Sequence, residues 1–120
     1  MTKLSDYEAV INTINFYTTG AIKGKREIAE KAFTKDATMY GANKDGSTAS
    51  GSIKNLYKGL ETSGEAKECE SHIDVLYINK NIASVRVVME DWHGLNFTDL
   101  HQLFKINGEW KIVSKTYQAY

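Results

Sequence analysis

Apolar residues in the first third of the chain recur every three or four positions. Tyr7, Val10, Ile11, Ile14, Tyr17 and Ala21 form one stripe, which predicts an amphipathic helix over about residues 5–22. Ser5 with Glu8 three positions later reads as a capping box at its start. Ile28, Ala29, Ala32 and Phe33 share one side of a shorter helix, about 25–33. Ala37 to Tyr40 is a short strand candidate, and the glycine- and serine-rich run from Gly41 to Gly51 reads as a loop. Ser52 then caps a third helix with Ile53, Leu56, Tyr57 and Leu60 on its apolar face, ended by Gly64.

Beyond Gly64 the period changes from helical to alternating. Strands are expected over about 69–78, 82–93, 97–106 and 109–118, with turns at Asn79-Lys80-Asn81, Gly94-Leu95-Asn96 and Asn107-Gly108. Asn-Gly between alternating apolar residues is a strong signal for a two-residue hairpin. Successive hairpins predict an antiparallel meander. Helices followed by strands predict an α+β domain over residues 1–120, with the helices on one face of the sheet.

Register turns this pattern into candidate chemistry. A hairpin at Asn107-Gly108 sets Ile106 across from Glu109 and Phe104 across from Lys111, and parity then divides the side chains. One face carries Phe97, Asp99, His101 and Leu103 beside Trp110, Ile112, Ser114 and Thr116. The other carries Phe104, Ile106, Val113 and Tyr117 with Lys111 and Lys115. Large apolar groups alternating with lysine suit a wet-rimmed interface, so this second face is the expected homodimer surface. On the first face, pairing His93 with Phe97 sets Asp91 across from Asp99 and Met89 across from His101. Two carboxylates side by side under a helical cover cannot both ionise easily, so one is expected to stay protonated above its usual range. Asp99, with His101 and Asp91, is therefore the expected acid–base group. His101 is alternatively a core histidine bonded to Ser114, which this register sets opposite. Tyr17 and Tyr40 can donate phenolic hydrogen bonds to a ligand oxygen. Met89, His93, Trp110, Ser114 and Thr116 complete the expected ligand-contacting set.

Composition narrows the classes. Hydrophobic residues are 42% and charged residues 25%, as in ordinary globular domains. Fifteen basic residues balance fifteen acidic ones, which argues against a nucleic-acid or anionic-membrane binder. The lone Cys69 excludes an internal disulfide or a cysteine zinc site and reads as a small buried hydrophobe. No ligand motif suggests a metal, and no cofactor is expected. The first residues hold no apolar signal segment and no stretch approaches a membrane span, so the expectation is a cytoplasmic protein.

Several runs are familiar as a set. Ala32-Phe33-Thr34-Lys35-Asp36-Ala37, the segment Glu90 to Asp99 with Trp92, Gly94, Phe97 and Thr98, and the segment Lys105 to Lys115 with Gly108, Trp110, Ile112 and Val113 resemble the SnoaL-like branch of the nuclear-transport-factor-2-like superfamily. Within it the chain is most similar to the putative lumazine-binding proteins. It departs from the usual pattern at Lys35, where the family has proline, and at Lys25, where an aspartate is usual. The resemblance implies a cone: three helices closing one face of a curved antiparallel sheet, a blind pocket between them, and homodimers through the convex face. Such folds host isomerases, dehydratases, cyclases, carriers and assembly modules, so function must come from the site. The expectation is a pocket for a small, flat, partly apolar molecule, with cofactor-independent isomerisation, dehydration or cyclisation as the chemistry. The alternative is a non-catalytic dimeric carrier or interaction module.

Overall fold

A computed structural model of the chain describes residues 3–120. Its elements run α1 (Leu4–Lys23), α2 (Arg26–Ala29), a 3₁₀ turn (Glu30–Ala32), β1 (Phe33–Ala42), β2 (Thr48–Ala49), α3 (Lys54–Ser63), β3 (Glu70–Asn79), β4 (Ile82–Trp92), β5 (Leu95–Ile106) and β6 (Glu109–Ala119). The strands form one curved, unclosed sheet in the order β2-β1-β6-β5-β4-β3. β3 to β6 are the expected antiparallel meander. The sheet is mixed, however, because β1 runs parallel to β6. The α+β class and the cone-like layout therefore stand, with an antiparallel majority.

The helices follow from their stripes. α1 buries Val10, Ile14, Tyr17 and Ala21, together with the small polar Thr13 and Thr18. Tyr7 and Ile11, at the stripe's margin, stay half exposed. The start differs from the expected Ser5–Glu8 box. The helix opens a residue earlier, and the Asp6 carboxylate accepts the Lys3 amide at 3.3 Å. Asp6 wins because it also reaches Lys105 and Trp110 across the core. Ser52 behaves as expected, its Oγ accepting the Lys54 amide at 3.1 Å. Tyr57 and Leu60 bury on the sheet side of α3.

The core lies between these helices and the concave face. Ile14, Ile53, Leu60, Val85, Val87, Leu103 and Ile112 are all but inaccessible, and each contributes about 1.5–3 kcal/mol by its burial. The outer face of the sheet is left bare. Tyr40, Ile82, Leu100, Phe104 and Ile106 are exposed on it.

Two irregularities reset the expected register. The first is at the β4–β5 turn, where the connection is the two-residue pair His93-Gly94, both at positive φ, joining Trp92 to Leu95. Asp91 also takes a positive φ of 57°, and the ladder shifts between Met89 and Trp92. Met89 therefore pairs with Phe97, Val87 with Asp99 and Val85 with His101. Asp91 does not face Asp99. Its carboxylate accepts the Gly94 amide at 3.1 Å, and its own amide donates to Asn96 Oδ1 at 3.0 Å. An aspartate tolerates the left-handed conformation because its side chain can bond the local backbone, which is why it serves the turn.

The second irregularity is in β6. Ile106 pairs with Glu109, Phe104 with Lys111 and Leu103 with Ile112, as the Asn-Gly turn demands. Gln102 then pairs with Ser114, so Val113 is an extra residue, a β-bulge. Every later side chain changes face. Lys115 and Tyr117 turn inward against the expected pattern, while Ser114 and Thr116 turn outward.

Candidate functional site

The inward turn of β6 brings a lysine beneath α1. Two neighbouring rows of the sheet explain the surroundings. Met39, Lys115, His101 and Val85 stand side by side on β1, β6, β5 and β4, and Gly41, Tyr117, Asp99 and Val87 form the next row. Gly41 is needed there, because a Cβ would fall inside the Tyr117 ring. That ring lies against β1, and its hydroxyl donates to Asn43 Oδ1 at 2.7 Å. It also covers the Lys115 ammonium, 4.3 Å from the ring centroid.

Asp99 is the centre of the constellation and is fully buried. The Tyr17 hydroxyl donates to its Oδ2 at 2.6 Å, and His101 Nε2 lies 3.4 Å from the same oxygen. Its other oxygen, Oδ1, has no hydrogen bond among the described residues and faces Lys115 Nζ at 3.7 Å. Lys115 is itself only 4% exposed, and the remaining polar contact of its Nζ is the Met39 sulfur at 3.8 Å. His101 packs on the Tyr17 ring at 5.0 Å, with Nδ1 also unpartnered.

Burial and charge act against each other here. Burial pushes the Asp99 carboxyl up, but the Lys115 ammonium and the hydrogen bonds from His101 and Tyr17 outweigh it and hold the acid below its usual range. The expected protonated carboxylate is therefore not found: Asp99 is the ionised member of an ion pair. Burial lowers Lys115, only partly opposed by Asp99. Burial also lowers His101, again opposed by Asp99, so its imidazole is favoured in the neutral form. The Tyr17 phenol is pushed far up by burial and by the adjacent Asp99 charge.

A small cavity of about 50 Å³, partly open to solvent, adjoins this group. It is well below the roughly 300–1,000 Å³ of drug-sized sites, so it suits a molecule of only a few heavy atoms. Tyr17, Ala21, Leu56, Leu60, Met89, Trp92, Phe97 and Lys115 line it, an apolar wall with a phenol and an amine as its polar groups. Trp92 ties the wall together, its indole donating to the Ala21 carbonyl at 3.0 Å. Asp99 and His101 stand behind Tyr17 and Lys115.

The candidates read from the chain thus divide. Tyr17, Asp99 and His101 come together, and Met89 lines the cavity. Asp91 is a turn residue. His93 lies at the surface, with Nε2 3.0 Å from the Gly64 carbonyl. Tyr40, Ser114 and Thr116 point to the outer face. Trp110 is buried away from the cavity and donates to Asp6 at 3.3 Å. Sequence reasoning missed Lys115, and no glycine, proline or asparagine at Val113 marks the bulge that turns it inward. Cys69 is buried as a small apolar group, its thiol pushed up by burial. Among the described residues no group of three or more His, Cys, Asp or Glu side chains could hold a metal ion. None of the helices is long and apolar enough to cross a membrane.

These features place the chain among the NTF2-like proteins of cystatin-like fold. It belongs to the "Putative lumazine-binding" family, whose model matches residues 5–118. It is 35% identical over 117 residues to the aldolase FrzH of a Cladobotryum species, covering 97% of this chain and 93% of that one. An NTF2-like protein from Methylobacillus flagellatus superposes with a TM-score of 0.92 at 33% identity, over 99% of this chain and 95% of the other. Another, from Shewanella baltica, superposes with a TM-score of 0.91 at 28% identity, over 100% and 98%.

Proposed function

We propose that the protein is a cofactor-independent enzyme that moves a proton next to the carbonyl group of a small, partly apolar substrate, in an aldol-type or isomerase-type reaction. The observation that carries this reading is the buried Asp99–Lys115 pair, with one carboxylate oxygen free of hydrogen bonds and with Lys115 in the wall of an apolar cavity. A carbonyl oxygen entering the cavity meets the Lys115 ammonium and the Tyr17 phenol. Negative charge developing on that oxygen as the adjacent C–H ionises is stabilised by the cation in a site of low dielectric. The C–H proton passes to the Tyr17 oxygen as Tyr17 gives its own proton to Asp99 Oδ2, and His101 holds that carboxylate in place. Aldol addition, isomerisation and dehydration all pass through such an enolate, and the aldolase name of the Cladobotryum relative fits that chemistry.

Proton exchange tests it without knowledge of the natural substrate. Propanal and cyclohexanone, incubated with the protein in deuterated buffer, should lose their α-proton NMR signals faster than in buffer alone. Asp99→Asn should abolish the acceleration while Asp91→Asn leaves it intact. Equal rates for wild type and Asp99→Asn would remove the reading.

The outer face favours a second element, a homodimer. Tyr40, Ile82, Leu100, Phe104 and Ile106 leave large apolar groups in water on one side of the sheet. Tyr117 and Lys115 do not belong to this surface, contrary to the parity expected from the hairpin. Sedimentation at micromolar concentration should show a dimer that Phe104→Glu dissociates. A dimer without exchange activity would instead favour a non-catalytic carrier.

A further inference from the structure

We propose that Lys115 is a covalent catalyst, its amine condensing with an aldehyde or ketone held in the cavity to give an iminium ion. This deepens the carbonyl-enzyme reading and rests on it. The first argument is position. Lys115 lines the cavity, whereas Asp99 and His101 lie behind it, so it is the lining residue that carries an amine nucleophile.

Freedom is the second argument. Lysines with structural roles in this protein hold oxygen atoms at hydrogen-bond distance: Lys105 reaches Asp6 at 3.1 Å, and Lys111 reaches the Lys31 carbonyl at 2.7 Å. Lys115 has no oxygen at that distance: its ammonium lies under the Tyr117 ring face, with a sulfur at 3.8 Å and a carboxylate oxygen at 3.7 Å. A buried ammonium so poorly satisfied is readily converted to its amine, and the same apolar burial lowers its proton affinity.

Proton traffic is the third. Condensation takes two protons from the ammonium nitrogen and delivers two to the carbonyl oxygen. Asp99 Oδ1 accepts no hydrogen bond and lies 3.7 Å from Nζ, and the carboxyl is held below its usual range. It takes the first proton, freeing the lone pair that forms the C–N bond as the carbonyl π bond breaks. It hands that proton to the oxygen, making a carbinolamine. The second transfer from nitrogen to oxygen lets the C–O bond break with water as the leaving group. The product is one iminium ion and one water, and the charge of the original ammonium is retained. The iminium then withdraws electrons from the neighbouring C–H bond far more strongly than a hydrogen-bonded carbonyl does. The apolar wall of Leu56, Leu60, Met89 and Phe97 limits the water that would hydrolyse it.

Reductive trapping on the wild-type protein decides this. With limiting propanal and cyanoborohydride near neutral pH, followed by peptide mapping, the first equivalent of reduced adduct should fall on Lys115, ahead of the surface lysines. Lys115→Arg keeps a cation but cannot form the iminium, so it should lose the α-proton exchange that a purely electrostatic role would preserve. Label on surface lysines with Lys115 unmodified overturns covalent catalysis. If exchange then persists in the wild type and in Lys115→Arg, the carbonyl-enzyme reading survives alone. Absence of both exchange and Lys115 label sinks the two together.

Discussion

Two aspartate–lysine pairs lie on the helix-covered side of the sheet, and they are built differently. Near the Asn107-Gly108 hairpin, Lys105 and Asp6 meet at 3.1 Å, with side chains 32% and 12% exposed. Asp6 is saturated, accepting from Lys105, Trp110 and the Lys3 amide. These bonds, chiefly that of Lys105, hold its carboxyl below the usual range. Beyond the bulge, Lys115 and Asp99 stand 3.7 Å apart, 4% and 1% exposed, with Asp99 Oδ1 lacking a hydrogen bond. The first pair clasps α1 to the sheet. The second leaves buried charges with unused bonding capacity, which is costly for a fold and useful for a reaction.

The contrast is sharpest under single substitution. Lys115→Met strands a buried carboxylate and should lower the unfolding free energy by about 3–5 kcal/mol in urea titration. Asp99→Asn combined with Lys115→Met should recover most of that loss, because removing both charges of a buried pair is often close to neutral. A double variant as unstable as the single one would mean that the pair is a structural necessity.

Next in size is a pH effect, which near neutrality is carried by the second cluster. The Asp99 carboxyl is lowered in the fold, so its contribution is complete above about pH 3.9, the unfolded value, and is lost as pH falls through the folded one. His101 is lowered as well. The unfolded chain therefore takes up its proton first, and stability declines as pH falls below about 6.5. Lys115, also lowered, makes stability rise with pH up to about 10.4, since the unfolded state binds the extra proton in that window. Urea midpoints at pH 7 and pH 5 should differ in the wild type and differ less in His101→Gln. An unchanged pH response in that variant would place the titrating group elsewhere.

Asp6→Asn should weaken the fold less than Lys115→Met does, since its pair reaches solvent and Lys105 is left hydrated. Exchange activity should be unaffected. Smallest of all is Arg86→Ala. Arg86 binds Asp74 at 2.9 Å on the outer face, with side chains 47% and 32% exposed, and its loss should leave the urea midpoint within error. A large effect there would point to a covered outer face, as in the proposed dimer.

Much of the fold was legible because it depends on local patterns. The α1 stripe, the Ser52 cap and the Asn107-Gly108 hairpin each emerge from short-range spacing. Asp99 and His101 were legible as polar residues on a core face, and Tyr17 as the phenol in the stripe above them. Asp91 was misplaced because Gly94 can serve either a three-residue turn or the two-residue His93-Gly94 turn found here. That choice, together with the ladder shift between Met89 and Trp92, decides which residue faces Asp99.

By itself the chain determined element order, the helix-covered sheet and the register next to the Asn-Gly turn, since periodicity and turn chemistry act over a few residues. Only the tertiary structure decided which face Lys115 takes. β6 alternates large and polar residues in both parities, so Trp110 and Ile112 can lie on a core face together with Ser114 and Thr116 or with Lys115 and Tyr117. The parallel pairing with β1 occurs with the second arrangement, where Gly41 leaves room for the Tyr117 ring and Met39 lies beside Lys115. Asp99 supplies the opposite charge. These contacts come from a strand more than seventy positions away and from a neighbouring carboxylate, and no local pattern encodes them.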